Sequence, residues 1–187
     1  MDSAGETGLC QPVSTCSGSV QNGRCPGAAH IQCCIGSVDD GGIPGLDSQQ
    51  SKRARTIMDV AREHRVGMHG CQVSITAALQ ASGILVFANP NVPESFEYPH
   101  DEIAGDSDSV GIFRQSPRVW GEVKDCMDPA KSASMFFTAL KRINHWEMMT
   151  IGRAAQTVQG ADDSSRFDEW LPFAVHICDS GFRRWMS

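Results

Sequence analysis

The sequence predicts a mainly α-helical domain preceded by a small disulfide-rich module. Three observations predict it. Five of the eight cysteines, Cys10, Cys16, Cys25, Cys33 and Cys34, crowd the first 34 residues. Helical periodicity then recurs from about Ser51 onward, bounded by capping residues and glycines. No run of residues reads as a convincing strand, and there are no internal repeats.

Residues 10–35 carry few large apolar side chains, so they cannot bury a core and need covalent staples. We read residues 1–36 as an irregular cysteine-rich knot, 37–52 as a Gly- and Asp-rich linker and 53–187 as the main domain. "RARTIMDVAREHRV" sets Ile57, Val60, Ala61 and His64 on one stripe and ends at Gly67. "CQVSITAALQ" is apolar on most sides and should be the central buried helix, stopped at Gly83. Residues 85–127 show no helical period, and a long ordered loop in a compact domain tends to be functional. Asp128 and Pro129 open a helix carrying Ala133, Phe136, Phe137 and Leu140 on one face. A short helix runs from Thr150 to about Gln159 and closes at Gly160, and a final helix carries a kink at Pro172.

Charge and cysteine usage bound the function. The formal net charge of −6 argues against nucleic-acid partners, which need a basic face. The apolar run "ILVFA" is far too short to span a bilayer, so no membrane role is expected. No C-x-x-C knuckle and no histidine spacing suits a metal, and no metal or cofactor is expected. An even number of cysteines in such a context reads as a disulfide framework involving all eight, Cys71, Cys126 and Cys178 included. A Cys71–Cys178 bridge is attractive because it would close a loop of roughly 100 residues, worth about 4–5 kcal/mol in the chain-entropy model. The expectation is a secreted, extracellular monomer, with a signal peptide removed ahead of the polar "MDSAGETG".

The residues able to do chemistry gather in "EYPHDEIAGDSDSVGIFRQSP". Asp101, Glu102, Asp106 and Asp108 lie within eight positions, and on composition alone a solvated loop is the default for them. A D-x-D pair is a weak calcium ladder. Gly111 sits among apolar residues, which suggests backbone packed tightly against a helix. Cys71 near His69 could be a thiol nucleophile, but a disulfide is the blander reading. Trp120, Trp146, Trp170 and Trp185 could stack on sugars, with packing as the default for each.

The stretches "SITAALQASGI", "FANPNVPESFEYPHD", "GDSDSVGIFRQSP", "MDPAKSASMFF" and "AAQTVQG" together resemble the lysozyme-like muramidases. The resemblance is to fungal secreted muramidases and, more remotely, to goose-type lysozymes and lytic transglycosylases, over residues 53–181. It implies a lysozyme-like helical domain that cleaves the β-1,4 bond between N-acetylmuramic acid and N-acetylglucosamine in peptidoglycan. The catalytic acid in that family is a glutamate at the end of the central helix, and it falls here on Ala81. Gln80, Ser82 and Gly83 around it remain typical, which favours a deliberate Glu-to-Ala change over a natural loss of the acid. The family's usual Gly-aliphatic-Phe-Gln-Gln-Arg is "GIFRQS" here, so Gln115 matches while Arg114 and Ser116 depart.

On that resemblance a glutamate at 81 would protonate the leaving oxygen from a semi-apolar cleft. Asp106 or Asp108 would orient water or stabilise the oxocarbenium ion, unless they only brace the loop. Tyr98, His100, Ser109 and Gln115 would contact the substrate. With alanine at 81 the chain should be close to inactive, since general acid catalysis contributes about 10²–10⁴-fold. The rival expectation is a natural pseudoenzyme, a lectin-like secreted effector that binds peptidoglycan or chitin oligomers.

Overall fold

The computed structural model describes residues 9–13, 19–25, 31–35, 42–105, 107–161 and 165–183. The chain divides into two compact units, Met1–Lys52 and Arg53–Ser187. Helix dominates, as the sequence predicts.

The first unit corrects the expectation of an irregular knot. Strands β1 (Leu9–Pro12), β2 (Ser19–Gln21) and β3 (Ile31–Ile35) form an antiparallel sheet with β3 in the middle. Cys10 pairs in register with Cys33, and Val20 with Cys34. A segment too poor in apolar side chains for a core can still satisfy its backbone through a ladder, and strands of three to five residues show too little alternation to be read in advance. Cys25 is disulfide-bonded. Cys33 is a free, buried thiol, against the expectation that all eight cysteines are bridged. The bridges expected at Cys10, Cys16 and Cys34 lie outside what is described.

The expected linker ends in ordered structure. Helix α1 spans Ser48–Glu63. Asp47 Oδ1 accepts from the Gln50 N–H at 2.7 Å, and Gln50 Oε1 accepts from the Asp47 N–H at 3.0 Å, a reciprocal capping box. This "DSQQ" box starts the helix at Ser48, ahead of the Ser51 that the periodicity suggests. Ile43 and Leu46 just ahead of it are buried.

In the second unit α1 ends before Gly67, not at it. Arg65 takes the left-handed turn (φ 56°), and Gly67 opens the next helix. That helix, α2 (Gly67–Ser82), is buried at ten of its residues: Gly70, Cys71, every position from Val73 through Leu79, and Ser82. Gly83 stops it in the left-handed region at φ 63°, its N–H bonded to the Leu79 carbonyl at 2.9 Å.

The chain from 85 to 127 is more ordered than expected. Strands β4 (Phe87–Ala88) and β5 (Glu102–Ile103) pair in parallel. A 3₁₀ turn covers Pro93–Glu97. Short helices α3 (Pro117–Trp120) and α4 (Val123–Met127) follow. Pro117 fits the first turn of its helix, where a missing N–H costs nothing.

Helix α5 (Pro129–Leu140) starts as predicted. Asp128 Oδ1 accepts from the Ala130 and Lys131 N–H groups at 2.8 and 2.9 Å. Its buried face stacks Phe136 on Phe113, with ring centroids 4.8 Å apart. Helix α6 (Ile151–Gln159) is capped by Thr150 and closed by Gly160 at φ 65°, also as predicted. The final helix is two, α7 (Ser165–Asp168) and α8 (Leu171–Arg183). Pro172 sits in the first turn of α8, so it marks a start where we expected a kink.

Helix α2 packs against α5, α6, α7 and α8. The Cys71–Cys178 disulfide ties it to α8 across 107 residues, the pairing the sequence favoured. Cys126 carries a free thiol, fully buried, where a bridge was expected. With no second sulfur bonded to it, Cys126 serves as a small apolar residue, and burial followed by the nearby Asp125 charge pushes its pKa up to about 11.

A candidate functional cleft at the end of the central helix

A helix buried on nearly every side can offer side chains to solvent only where it ends. The last turn of α2 does so at Gln80 and Ala81, both partly exposed. Ala81 lines a cleft of about 370 Å³ whose other walls are Gln80, Arg114, Gln159, Ala161, Arg166 and Phe167. Ser82, next along the chain, turns inward. Its hydroxyl donates to the Ile112 carbonyl at 2.7 Å and clamps the helix end to the following loop.

That loop reverses over residues 111–114. Val110 and Gln115 exchange backbone hydrogen bonds of 2.9 Å, and Gly111 and Arg114 both have positive φ, 76° and 51°. Only glycine fits at 111. A β-carbon there would lie 1.9 Å from the Cys126 carbonyl oxygen, so the turn rests directly on the backbone of α4. This is the tight approach predicted for Gly111. The reversal sends neighbouring side chains in opposite directions. Arg114 lines the cleft, its guanidinium 5.0 Å from the Phe87 ring centre and its Nε donating to Ser109 Oγ at 3.1 Å. Gln115 turns into the core, 1 % exposed.

Gln115, expected as a substrate contact, therefore does not line the cleft. Its Oε1 accepts from Ser132 Oγ at 2.7 Å and its Nε2 donates to the Ser132 carbonyl at 3.3 Å, which fastens the loop to α5. Ser109 stands behind Arg114 as a hydrogen-bond partner and is not part of the cleft wall. Tyr98 and His100 are also absent from that wall. Tyr98 donates its hydroxyl to Glu94 at 3.2 Å, and the His100 ring packs edge-on to Phe96.

Asp108 Oδ2 accepts from Ser116 Oγ at 2.9 Å and pairs with Arg118 Nε at 3.2 Å. Asp101 pairs with Arg53 and accepts from the Val86 N–H at 2.7 Å. Both carboxylates tie the loop to its neighbours, which for Asp108 is the bracing alternative to a catalytic role. Asp106 lies outside the described residues. Among the described residues no group of three or more His, Cys, Asp or Glu side chains could hold a metal. Cys71 is in a disulfide, so it is no nucleophile.

The sequence reading missed Gln159 and Arg166. The Gln159 Nε2 is shielded from solvent and has no hydrogen-bond partner among the described residues. Trp170 donates its indole N–H to Gln80 Oε1 at 2.9 Å and so supports the wall from behind, and Trp146 is buried. Trp120 instead lines a second groove of about 460 Å³ with Ser134, Met135 and Arg142. Trp185 lies outside the described residues. Ser134 Oγ in that groove is 2.9 Å from His64 Nε2, but His64 Nδ1 has no partner among the described residues, so no carboxylate orients the ring.

No protein-family model matches this chain, and no curated protein matches it.

Proposed function

We propose that the chain is a lysozyme-like peptidoglycan-binding domain, built as a muramidase and silent because Ala81 stands where the general acid belongs. The observation that carries this reading is the opening of residue 81, at the glycine-stopped end of the central buried helix, into a sugar-sized cleft. The motifs shared with lysozyme-like muramidases lie around that same position. The Cys71–Cys178 bridge supports secretion.

In the parent reaction a glutamic acid at 81 protonates the glycosidic oxygen while the bond to the anomeric carbon breaks. The described wall of the cleft contains no carboxylate. A covalent route needs a second one about 5 Å from the first, so the reading takes water, or an internal hydroxyl of the sugar, as the attacking group.

The test is Ala81→Glu, assayed by the clearing of a bacterial cell-wall suspension between pH 4 and 8. The present chain is expected to clear nothing and the glutamate variant to gain at least about 100-fold over it. A normally folded variant that clears no faster at any pH overturns the muramidase reading.

The composition of the wall favours a second reading, a lectin-like secreted protein. Two guanidiniums and an alanine suit retention of a ligand better than proton transfer to one. On this reading wall fragments bind equally well with alanine or glutamate at 81, and neither form cuts them.

A further inference from the structure

We propose that the second groove, lined by α3, α5 and α6, binds a straight-chain carboxylic acid, with its alkyl body along α5 and its carboxylate on Arg142. This goes beyond the glycan reading and uses no residue of the cleft at Ala81. The first reason is the apolar part of the lining. Val119 and Trp120 of α3 and Val158 of α6 flank Met135 and Ala139 of α5 around a volume of about 460 Å³. Val119 is 80 % exposed. One exposed valine is ordinary, but here it extends an apolar lining that already holds a half-buried tryptophan. A concave, mainly apolar surface with few polar groups is the usual form of a small-molecule site.

The second reason is what the polar groups are doing. Ser134, Thr138 and Arg142 follow at intervals of four and so share one face. The two hydroxyls are already engaged. Thr138 donates to the Ser134 carbonyl at 2.8 Å, and Ser134 Oγ lies 2.9 Å from His64 Nε2. The Arg142 guanidinium, by contrast, has no ion pair or hydrogen bond among the described residues, and its side chain is exposed. A sugar or a peptide brings many polar groups that each need a partner, and this lining does not supply them. A ligand with one charged head and an apolar body does fit. The sign of the head follows from the lining, which holds one cation and no acid in a chain of net charge −6. The planar guanidinium fork matches a carboxylate.

The third reason is length. The Lys141 N–H bonds to the Phe137 carbonyl at 3.0 Å and the Arg142 N–H to the Ala139 carbonyl at 3.1 Å, so the backbone holds a helical course as far as Arg142. At 1.5 Å per residue, Met135 and Arg142 stand roughly 10 Å apart along the axis. An extended chain of about eight carbons has that length. With its carboxylate on Arg142, its far end reaches Met135, whose flexible thioether adapts to an apolar partner.

The experiment is calorimetric titration of the whole chain with octanoate, octanol and acetate, at low salt and pH 7.5, each below the concentration at which it aggregates. Octanoate is expected to saturate one site, octanol to bind at least about fivefold more weakly, and acetate not to bind. Arg142→Gln, at an exposed position, should bring octanoate down to the affinity of octanol. Val119→Asp, also exposed, should weaken both ligands. Arg166→Gln, in the other cleft, should change neither. Absence of octanoate binding overturns the proposal, and so does equal binding of octanoate and octanol. Acetate binding as tightly as octanoate overturns the alkyl assignment. An octanoate affinity that survives Arg142→Gln, or one that Arg166→Gln removes, overturns the placement in this groove.

Discussion

The acidic loop and the cleft beside Ala81 meet in one turn, and they use polar side chains in opposite ways. In the loop they are consumed internally. Asn89, fully buried, donates to the Ser107 and Ser109 carbonyls at 2.8 and 3.0 Å. Asp101 is spent on Arg53 and Val86, Asp108 on Ser116 and Arg118, and Gln115 on Ser132. In the cleft, Arg114, Gln159 and Arg166 line open volume, with the Gln159 Nε2 itself shielded from solvent. The difference has a simple cause. A loop with little regular structure must find partners for its own backbone, and nearby short polar side chains supply them. The last turn of a helix stopped by glycine carries less of that debt, so Ala81 can face the cleft.

The largest expected effect comes from breaking the turn that separates the two regions. Gly111→Ala drives a methyl group into the Cys126 carbonyl and strains a φ of 76°, and should destabilise the second unit by at least about 3 kcal/mol in urea unfolding. Next is Ser132→Ala, which leaves Gln115 Oε1 buried and unpaired. It should cost about 1–3 kcal/mol without changing glycan affinity, and a large loss of affinity in a folded Ser132→Ala protein would move Gln115 back among the ligand contacts.

A titration of stability sharpens the contrast between internal and ligand-facing groups. Burial, then the Lys141 charge, lowers the His64 pKa, and burial lowers that of His176 against the opposing pull of Asp179. Both imidazoles therefore fold neutral, and the unfolded chain takes up protons first as pH falls. Their stabilisation is complete above the unfolded value of about 6.5 and is lost as pH drops below it. The Tm should fall between pH 7.5 and 5, and fall less in a His64→Gln, His176→Gln double variant. The smallest effect is Asp108→Asn. Its ion pair with Arg118 is largely solvent-exposed, so melting should register about 0.5 kcal/mol or less, and Ala81→Glu, Asp108→Asn should clear walls as fast as Ala81→Glu alone. A drop of 100-fold in that double variant would restore Asp108 to a catalytic role.

Much of this was legible in the residues. Asp128, Thr150, Gly83 and Gly160 announce helix ends because capping is local chemistry, complete within four residues. Gly111 was legible because a lone glycine among apolar residues signals close backbone approach. The sheet of the first unit was not, since its strands are too short for a period to emerge. Gln115 and Arg114 could not be told apart, as one turn of backbone decides which faces the core. Arg166 and Gln159 were invisible for a different reason. They lie some eighty residues along the chain from Ala81, and only the packing of α6 and α7 on α2 unites them.

The disulfide between Cys71 and Cys178 has a consequence for a chain that is cut. It encloses the acidic loop, helices α3 to α7 and the exposed turn at Met148 within one covalent ring. A protease that nicks any of these produces two polypeptides that still migrate as a single molecule until a reductant separates them.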